Sequence, residues 1–284
     1  MTGADGFIGN HAISYFVKLG HKVTALSRTT PASRGQYEGI NWLKADLSRT
    51  ALRLPYDLDF IIHAAGRSPY HGGEEADFMR DNIEGTHRLA EAAIDVGCQK
   101  MISLSGISVY GPVSSNCIDE KTTTAPVKAY GHSKLAAEQL LNGSSDRLHS
   151  LILRLPGIVG SGAHSPWIVR CRTALKQGQK INAYNPKALF NNILHIDDLL
   201  KFIECCFDGK INKTDILTLA SCDPIPITDI LENVLNATGK KGSVDFSVNN
   251  AVSFTISTRK ACKEYGFNPM TTVETLHRYL KFHH

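Results

Sequence analysis

The 284-residue sequence has no apolar run that approaches membrane-spanning length, and no basic, then apolar, leader pattern opens it. It has no block of Lys or Arg and no basic stretch interleaved with aromatics. Thirty-one Lys and Arg against 27 Asp and Glu leave a net charge of +4, too mild to point to nucleic acid. The seven cysteines, Cys98, Cys117, Cys171, Cys205, Cys206, Cys222 and Cys262, include no C-x-x-C pair and no metal-ligand spacing. They read as free thiols of a reducing compartment, so a cytoplasmic protein without a metal site or membrane partner is expected. Internal repeats and low-complexity linkers are missing too. With 42% hydrophobic and 20% charged residues, the chain can bury a sizeable core, as one large α/β domain or a domain plus a smaller lobe.

One further shortage lies at the front. Glycines stand at Gly3, Gly6 and Gly9, and an amphipathic stretch follows at once through Ile8, Ala12, Ile13, Phe16, Val17 and Leu19. That spacing predicts a tight turn feeding a helix N-terminus, where bare backbone N–H groups and the positive end of the helix dipole suit a pyrophosphate. Such a turn belongs after a β-strand, yet only Met1 and Thr2 precede Gly3. In a doubly wound sheet that strand is central, and its loss would leave open backbone groups inside the core. The expectation is a start displaced from its natural place, not a native sheet with a gap.

Strands are expected at Lys22–Leu26, Ile40–Leu43, Asp59–His63, Lys100–Ser105 and Ser150–Leu155, with helices between. A helix runs from about 74 to 96, stopped by Gly97, and another carries Tyr130 and Lys134. This alternation implies a parallel sheet with helices on both faces, a Rossmann fold. Beyond Pro156 helices are expected near Trp167–Lys176, Asp197–Phe207, Thr228–Thr238 and from Thr272, with a loop at Tyr184–Asn192 and a strand at Ile216–Leu219. Two domains follow: 1–156 as the dinucleotide-binding domain, and 157–284 as a mixed α/β substrate-binding lobe, of which about 190–207 packs back on the first. Where an NAD-binding fold usually carries Asp or Glu at the end of its second strand, this chain has Ser27-Arg28, with Arg34 nearby. A cation there favours the 2′-phosphate of NADP over NAD.

Tyr130-Gly131-His132-Ser133-Lys134 puts a phenol and an ammonium four residues apart on one helical face. A neighbouring cation favours the phenolate and would lower its pKa, so the pair can exchange a proton at a carbonyl or alcohol while a nicotinamide moves the hydride.

With these pieces in order, the chain resembles an extended short-chain dehydrogenase/reductase of the NAD-dependent epimerase/dehydratase family. The matching residues are Thr2-Gly3-x-x-Gly6-Phe7-Ile8-Gly9, Asp46-Leu47, His63-Ala64-Ala65, Asn82-x-x-Gly85-Thr86, Ser108-Val109-Tyr110-Gly111, Tyr130-x-x-Ser133-Lys134, Leu153-Arg154-Leu155-Pro156, His195-Ile196-Asp197-Asp198 and the tail from Lys260 to Pro269. The resemblance implies that Gly3, Gly6, Phe7, Ile8 and Gly9 cradle the cofactor's pyrophosphate and that Arg28 meets the 2′-phosphate. It places Asp46 and Leu47 at the adenine and Ala64, Ala65 and Pro156 along the cofactor. Tyr130 would be the acid/base, and Lys134 its partner and a ribose contact. Asn185 and Asn192 lie where family members touch substrate, and His195 becomes a turn at a helix start capped by Asp197 or Asp198. A homodimer through the helices near 75–96 and 127–142 is expected by the same likeness.

The chain departs from the family at Gly106, which stands where the catalytic Ser or Thr belongs; Ser105 and Ser108 are the candidate replacements. Family 4,6-dehydratases carry an Asp-Glu pair where this chain has Ile107 and Ser108, which disfavours dehydration. The implied activity is hydride transfer at a ring carbon of a nucleotide sugar, by a 4-ketoreductase or 4-epimerase. The alternative is an NADP(H)-binding sensor or assembly subunit without turnover, favoured by Gly106.

Overall fold

The computed structural model describes residues 1–29, 39–49, 51–209, 211–239, 241–249 and 252–281. Arg34 and the His283–His284 pair lie outside the described residues. In chain order the elements begin with α1 (Phe7–Lys18), β1 (Val23–Ser27), β2 (Ile40–Lys44), β3 (Ile61–His63), α2 (Glu75–Phe78), α3 (Gly85–Asp95), β4 (Lys100–Gly106), β5 (Cys117–Ile118) and α4 (Ala129–Gly143). Then come β6 (His149–Leu155), β7 (Gly157–Val159), α5 (Trp167–Lys176), β8 (Lys180–Tyr184), β9 (Leu189–Phe190), β10 (Ile193–His195) and α6 (Ile196–Cys205). The last are β11 (Asp215–Thr218), β12 (Ile225–Pro226), α7 (Ile227–Ala237), β13 (Ser243–Ser247), β14 (Thr255–Ile256), α8 (Arg259–Tyr265) and α9 (Thr272–Lys281). They fall into two compact units. One comprises Met1–Pro112, Thr123–Arg154 and Ile203–Leu217; the other Val113–Thr122, Leu155–Phe202 and Thr218–His284.

In the first unit the strands follow the order β11-β6-β4-β3, with β1 and β2 as a separate parallel pair. What joins them is Thr2, a single-residue parallel bridge to Leu26 on one side and His63 on the other. The Thr2 amide donates to Ile62 O (2.9 Å), Leu26 N to Met1 O (2.8 Å), and Ala4 N to Leu26 O (3.2 Å). The short segment before the glycine turn therefore holds the central place of a doubly wound sheet, in the order β2-β1-Thr2-β3-β4-β6-β11. The Met1 amine is buried beside it and donates to Thr24 O (2.8 Å), and burial pulls its pKa down to about 6.

β3 is buried along its whole length, and β4 and β6 from their second residue onward, as strands covered on both faces must be. Leu89, Ala90 and Ala93 of α3 and Leu141 of α4 pack with Ile61, Met101 and Ile152 in one core. The helix expected over about 74–96 is not uniform. A capping box of Glu74 and Asp77 starts α2, and a π-helical turn at Met79–Glu84 precedes α3. The turn places Asn82 inside, 3% exposed. π-turns of this kind concentrate at functional sites.

In the second unit β10 pairs with β7, β13 with β8 and β14 with β5, all parallel, and β12 pairs antiparallel with β9. The stretch expected as a loop from 184 to 192 thus contains a strand, β9. Ile168 and Val169 of α5, Ile230 and Val234 of α7, and Leu276 and Tyr279 of α9 close one core with Val159 and Ile193. Trp167 is half-buried, its ring 5.4 Å from that of Phe190. The cap of α6 also differs from expectation. Neither Asp197 nor Asp198 supplies it: His195 Nδ1 accepts the Asp197 amide (3.2 Å). Asp197 pairs instead with Arg278, and the Asp198 carboxylate accepts the Met270 amide (2.9 Å). No described helix is long and apolar enough to cross a membrane. Among the described residues no group of three or more His, Cys, Asp or Glu could hold a metal ion.

Candidate active site

The glycine turn requires its glycines for two different reasons. Gly3 has φ +64°, and a Cβ on it would lie 2.8 Å from the Ala64 carbonyl carbon and the Ala65 amide nitrogen. A Cβ on Gly9 would lie 2.0 Å from Gly3 O. The turn is therefore seated on the Ala64–Ala65 backbone, and α1 closes down on the turn. Phe7, Ile8 and Gly9 make the first turn of α1, whose N–H groups lie outside the intrahelical ladder and suit an anion. A cleft of about 270 Å³ opens beside this turn, lined by Gly3, Gly6, Arg28, Asp46, Leu47, Ala64 and Ala65. A bare-backbone cradle at a helix N-terminus, in a cleft at the sheet's switch point, fits a dinucleotide. Asp5, Ser27, Ser48, Gly66, Arg67, His71 and Asp81 also line the cleft. Of these, Ser27 stands beside Arg28 at the end of β1 and Gly66 continues the small-residue stretch of Ala64 and Ala65, both legible in the sequence; the others left no pattern.

At the cleft's Arg28 end, burial works against the Asp46 carboxylate. The Ser48 hydroxyl (2.8 Å) and amide (3.0 Å), with the charges of Arg28 and Arg49, outweigh that and hold its pKa below the usual range. Ser27 bonds the Thr29 carbonyl (2.5 Å), and Thr29 Oγ1 donates to Asp5 (3.4 Å).

A line of hydrogen bonds runs behind the turn. The Ala65 amide donates to Thr2 Oγ1 (3.2 Å), which contacts His63 Nδ1 (2.8 Å); His63 Nε2 contacts Thr86 Oγ1 (2.9 Å), which donates to Asn82 O (2.6 Å). With the Thr86 hydroxyl hydrogen already given away, His63 carries its proton on Nε2 and accepts at Nδ1. Burial, aided by the Lys134 charge, pushes His63 down to about 3, so it is neutral throughout the physiological range. Asn82, matched to the family pattern, proves to be a clamp. Its Oδ1 accepts the Arg67 amide (2.6 Å), and its Nδ2 donates to Arg67 O (3.2 Å) and Ser133 Oγ (2.8 Å). It ties the loop after β3 to the helix bearing Tyr130 and Lys134.

Tyr130 and Lys134 stand on one face of α4. Gly66 has φ +156°, and a Cβ there would come within 3.4 Å of Lys134 Nζ, which places the ammonium beside a residue that lines the cleft. Lys134 Nζ donates to Leu104 O (2.9 Å). Burial pulls Lys134 down to about 8, opposed by the Glu138 carboxylate. Tyr130 differs from the expectation of a lowered phenol. Although half-buried by surface area it is closely enclosed, and burial, with Tyr70 nearby, pushes it up to about 12. Its ring meets the edge of Phe78 at 6.2 Å. Gly131 lets the helix approach the turn at Ile107–Val109: a Cβ there would lie 2.6 Å from Ser108 O.

The two serines flanking Gly106 are not equivalent. Ser105 is turned into the protein, its hydroxyl donating to Glu138 Oε1 (2.5 Å), which corrects its place among the candidate catalytic hydroxyls. The Ser108 hydroxyl is buried and has no hydrogen-bond partner among the described residues. A buried orphan hydroxyl is costly unless something meets it.

Pro156, Asn185 and Asn192 belong to the second unit. Pro156 is buried directly after β6. The Asn185 side chain, in left-handed backbone at φ 53°, is spent on the Asn249 side chain (3.1 Å) and amide (3.0 Å). Asn192 Oδ1 is buried without a hydrogen-bond partner among the described residues.

A family model described as the NAD dependent epimerase/dehydratase family matches residues 1–214. A UDP-glucose 4-epimerase of Halalkalibacterium halodurans is 21% identical over 268 residues, covering 84% of this chain and 80% of its own. A UDP-glucose 4-epimerase of Streptomyces lividans is 26% identical over 267 residues, with the same coverage of 84% and 80%. Among solved structures, the UDP-glucuronic acid 4-epimerase from Bacillus cereus in complex with NAD superposes with a TM-score of 0.82. It is 20% identical, over 99% of this chain and 94% of that one. MoeE5 in complex with UDP-glucuronic acid and NAD gives 0.83 at 23% identity, over 99% and 97%. These likenesses show the fold, a doubly wound Rossmann sheet.

Proposed function

The chain belongs to the NAD dependent epimerase/dehydratase family, a family of enzymes, and on that premise we propose that it moves a hydride at a ring carbon of a nucleotide sugar, as a 4-epimerase or 4-ketoreductase. The observation that carries this reading is the placement of Lys134 against Gly66, at the wall of the glycine-turn cleft, with Tyr130 one helical turn earlier. The relatives' own substrates, UDP-glucose and UDP-glucuronic acid, support a nucleotide sugar. Dehydration is set aside, because the turn at Ile107–Val109 brings no carboxylate to the site.

Gly3, Gly6 and the first turn of α1 would hold the pyrophosphate of a nicotinamide dinucleotide, Ala64 and Ala65 its middle, and Lys134 a ribose hydroxyl. When bound, the dinucleotide supplies the two-electron acceptor or donor. Tyr130 handles the proton. A phenol held near 12 is protonated at neutral pH, which suits it to give its proton to the oxygen of a ketone as the carbon is reduced. In the oxidative direction the same oxygen takes back the hydroxyl proton of the sugar. Ser108, whose buried hydroxyl has no hydrogen-bond partner among the described residues, would donate a hydrogen bond to that reacting oxygen in lieu of the family hydroxyl lost at Gly106. Asn192 is the favoured sugar contact of the second unit, because its Oδ1 has no partner among the described residues.

The test is incubation with UDP-glucose, UDP-glucuronic acid and their 4-keto forms, with each nicotinamide cofactor, and product analysis by chromatography. Turnover of one of these is the expected result; failure of all of them, with cofactor bound, would overturn the reading. Ser108→Ala should lower kcat about a hundredfold or more with little change in nucleotide affinity, the cost of one donor to a developing charge. An unchanged kcat would remove Ser108 from the mechanism.

Arg28 lines the adenosine end of the cleft, where β1 ends without an acidic residue. It favours NADPH over NADH. Arg28→Ala should weaken NADPH binding about tenfold while leaving NADH within about twofold, from loss of one charge-assisted phosphate contact. Equal weakening of both, in a fluorescence titration, would mean that Arg28 does not read the 2′-phosphate.

A further inference from the structure

Behind the site lies a buried charge cluster that the proposed chemistry does not use. Glu138, on α4 four residues past Lys134, is 3% exposed, and Arg154 of β6 is 4% exposed. Arg154 Nη2 donates to Glu138 Oε2 (2.7 Å), and its Nε lies 3.2 Å from both carboxylate oxygens. The Ser105 hydroxyl of β4 donates to Oε1 of the same carboxylate. Arg154 Nη1 donates to the Tyr110 hydroxyl (2.9 Å), and the guanidinium stands 4.9 Å from the centre of that ring. Tyr110, 1% exposed, closes the turn that holds Ser108.

We propose that Glu138, with Arg154 as its counter-ion, is a positioning residue that sets α4 against β4 and the Ser108 turn, and so sets Tyr130, Lys134 and Ser108 relative to one another. The inference rests on the catalytic reading of Tyr130 and Lys134 given above. Its physical ground is that a buried ion pair is a poor source of stability. Desolvating two charges consumes most of what their attraction returns, and well-packed apolar residues often do as well or better. What apolar packing cannot supply is direction. The Glu138 carboxylate accepts from two strands at once, and each bond has a defined angle. Residue 104 offers its carbonyl to Lys134 and residue 105 its hydroxyl to Glu138, so one helical face grips two consecutive residues of β4. Tyr110 extends the same network to the turn. A second consequence is electrostatic. The groups around Lys134 are Tyr130 and Glu138 on its own helix, neutral His63 from β3 and the Leu104 carbonyl from β4, and Glu138 is the one that opposes the effect of burial on the ammonium.

The variants are Glu138→Gln, which keeps shape and removes charge, and Glu138→Asp, which keeps charge and shortens the reach. Steady-state rates with the active nucleotide sugar, NADH affinity and thermal midpoint would be measured across pH 6–10, a range of about two pH units either side of the Lys134 value. Lys134 is charged below its pKa and neutral above it, so rate and NADH affinity should fall as pH rises through that limb. Glu138→Gln should lower kcat at least about tenfold with KM within about twofold, and move the limb to lower pH. Glu138→Asp should lower kcat and leave the limb in place.

A Gln variant with wild-type kcat and an unmoved limb would overturn the proposal. So would one whose only change is a lower midpoint. If the Gln variant does not fold, a Glu138→Asp protein with unchanged kcat overturns it equally. The pH dependence of NADH affinity needs no sugar. A wild type that binds NADH with such a limb but turns over no nucleotide sugar would refute the functional reading and leave this one to be judged by its own limb.

Discussion

Tyr130→Phe is expected to lower kcat toward the nucleotide sugar by about a thousandfold, with NADH affinity within about twofold of wild type. The loss corresponds to about 4 kcal/mol of transition-state stabilisation, inside the span typical of a positioned acid/base. The substitution keeps the ring, so the edge contact with Phe78 survives and the helix needs no rearrangement. Only the phenolic hydroxyl, the group that gives and takes the proton, is removed. Because burial holds the phenol near 12, wild-type activity in the reductive direction should not depend on Tyr130 ionisation between pH 6 and 8. The limb that does appear should be alkaline, from Lys134, whose pKa burial has drawn down to about 8. Rates would be measured by nicotinamide absorbance, and affinity by fluorescence titration. A loss of less than about tenfold would place the proton with another group and favour a cofactor-binding protein without Tyr130 chemistry.

The parts of this molecule that follow from short periodic patterns were legible before any coordinates. Short apolar stretches alternating with helical patterns made β3, β4 and β6 readable as parallel strands, and the glycines at 3, 6 and 9 pointed to the tight turn before α1. What escaped has one character: it depends on single residues meeting across the sheet. Thr2 completes the central strand position as a single residue bridged on both sides, too short to leave any pattern. The π-turn at Met79–Glu84 is hidden inside a helix-like stretch, and its product, Asn82 reaching Arg67 and Ser133, joins residues far apart in sequence. The cap of α6 was assigned to aspartates because Asp leads that position statistically, whereas the buried His195 accepts the same N–H at Nδ1. Glu138 and Arg154 look like ordinary charged residues on a helix and a strand until the fold brings them together. The phenol of Tyr130 shows the limit of motif chemistry: spacing puts a cation near it, but enclosure decides its pKa.

Gly9→Ala is expected to weaken NADH binding at least about a hundredfold and to lower the thermal midpoint by several degrees. The added Cβ would stand 2.0 Å from Gly3 O, 2.8 Å from Gly3 C and 2.9 Å from Ala4 Cα, all of them backbone. No side chain can swing aside to relieve this. Gly3 cannot retreat either, because it is seated against Ala64 and Ala65, and Ala4 is held by its bond to Leu26 O. The first turn of α1 must therefore lift away from the glycine turn, at a cost of about 1–3 kcal/mol in overpacking. The N–H groups that would meet the pyrophosphate move with it, and a hundredfold in affinity is about 2.7 kcal/mol. Gly6→Ala separates fold from ligand. Its Cβ would sit 3.2 Å from Gly3 O, close enough for a shift of a few tenths of an ångström to absorb, so stability should hold within about 0.5 kcal/mol. Yet Gly6 lines the cleft, so the methyl should still weaken NADH binding by crowding the cofactor. A Gly9→Ala protein that melts and binds like wild type would show that α1 can reseat itself, and that close packing of the helix on the turn is not what shapes the cradle.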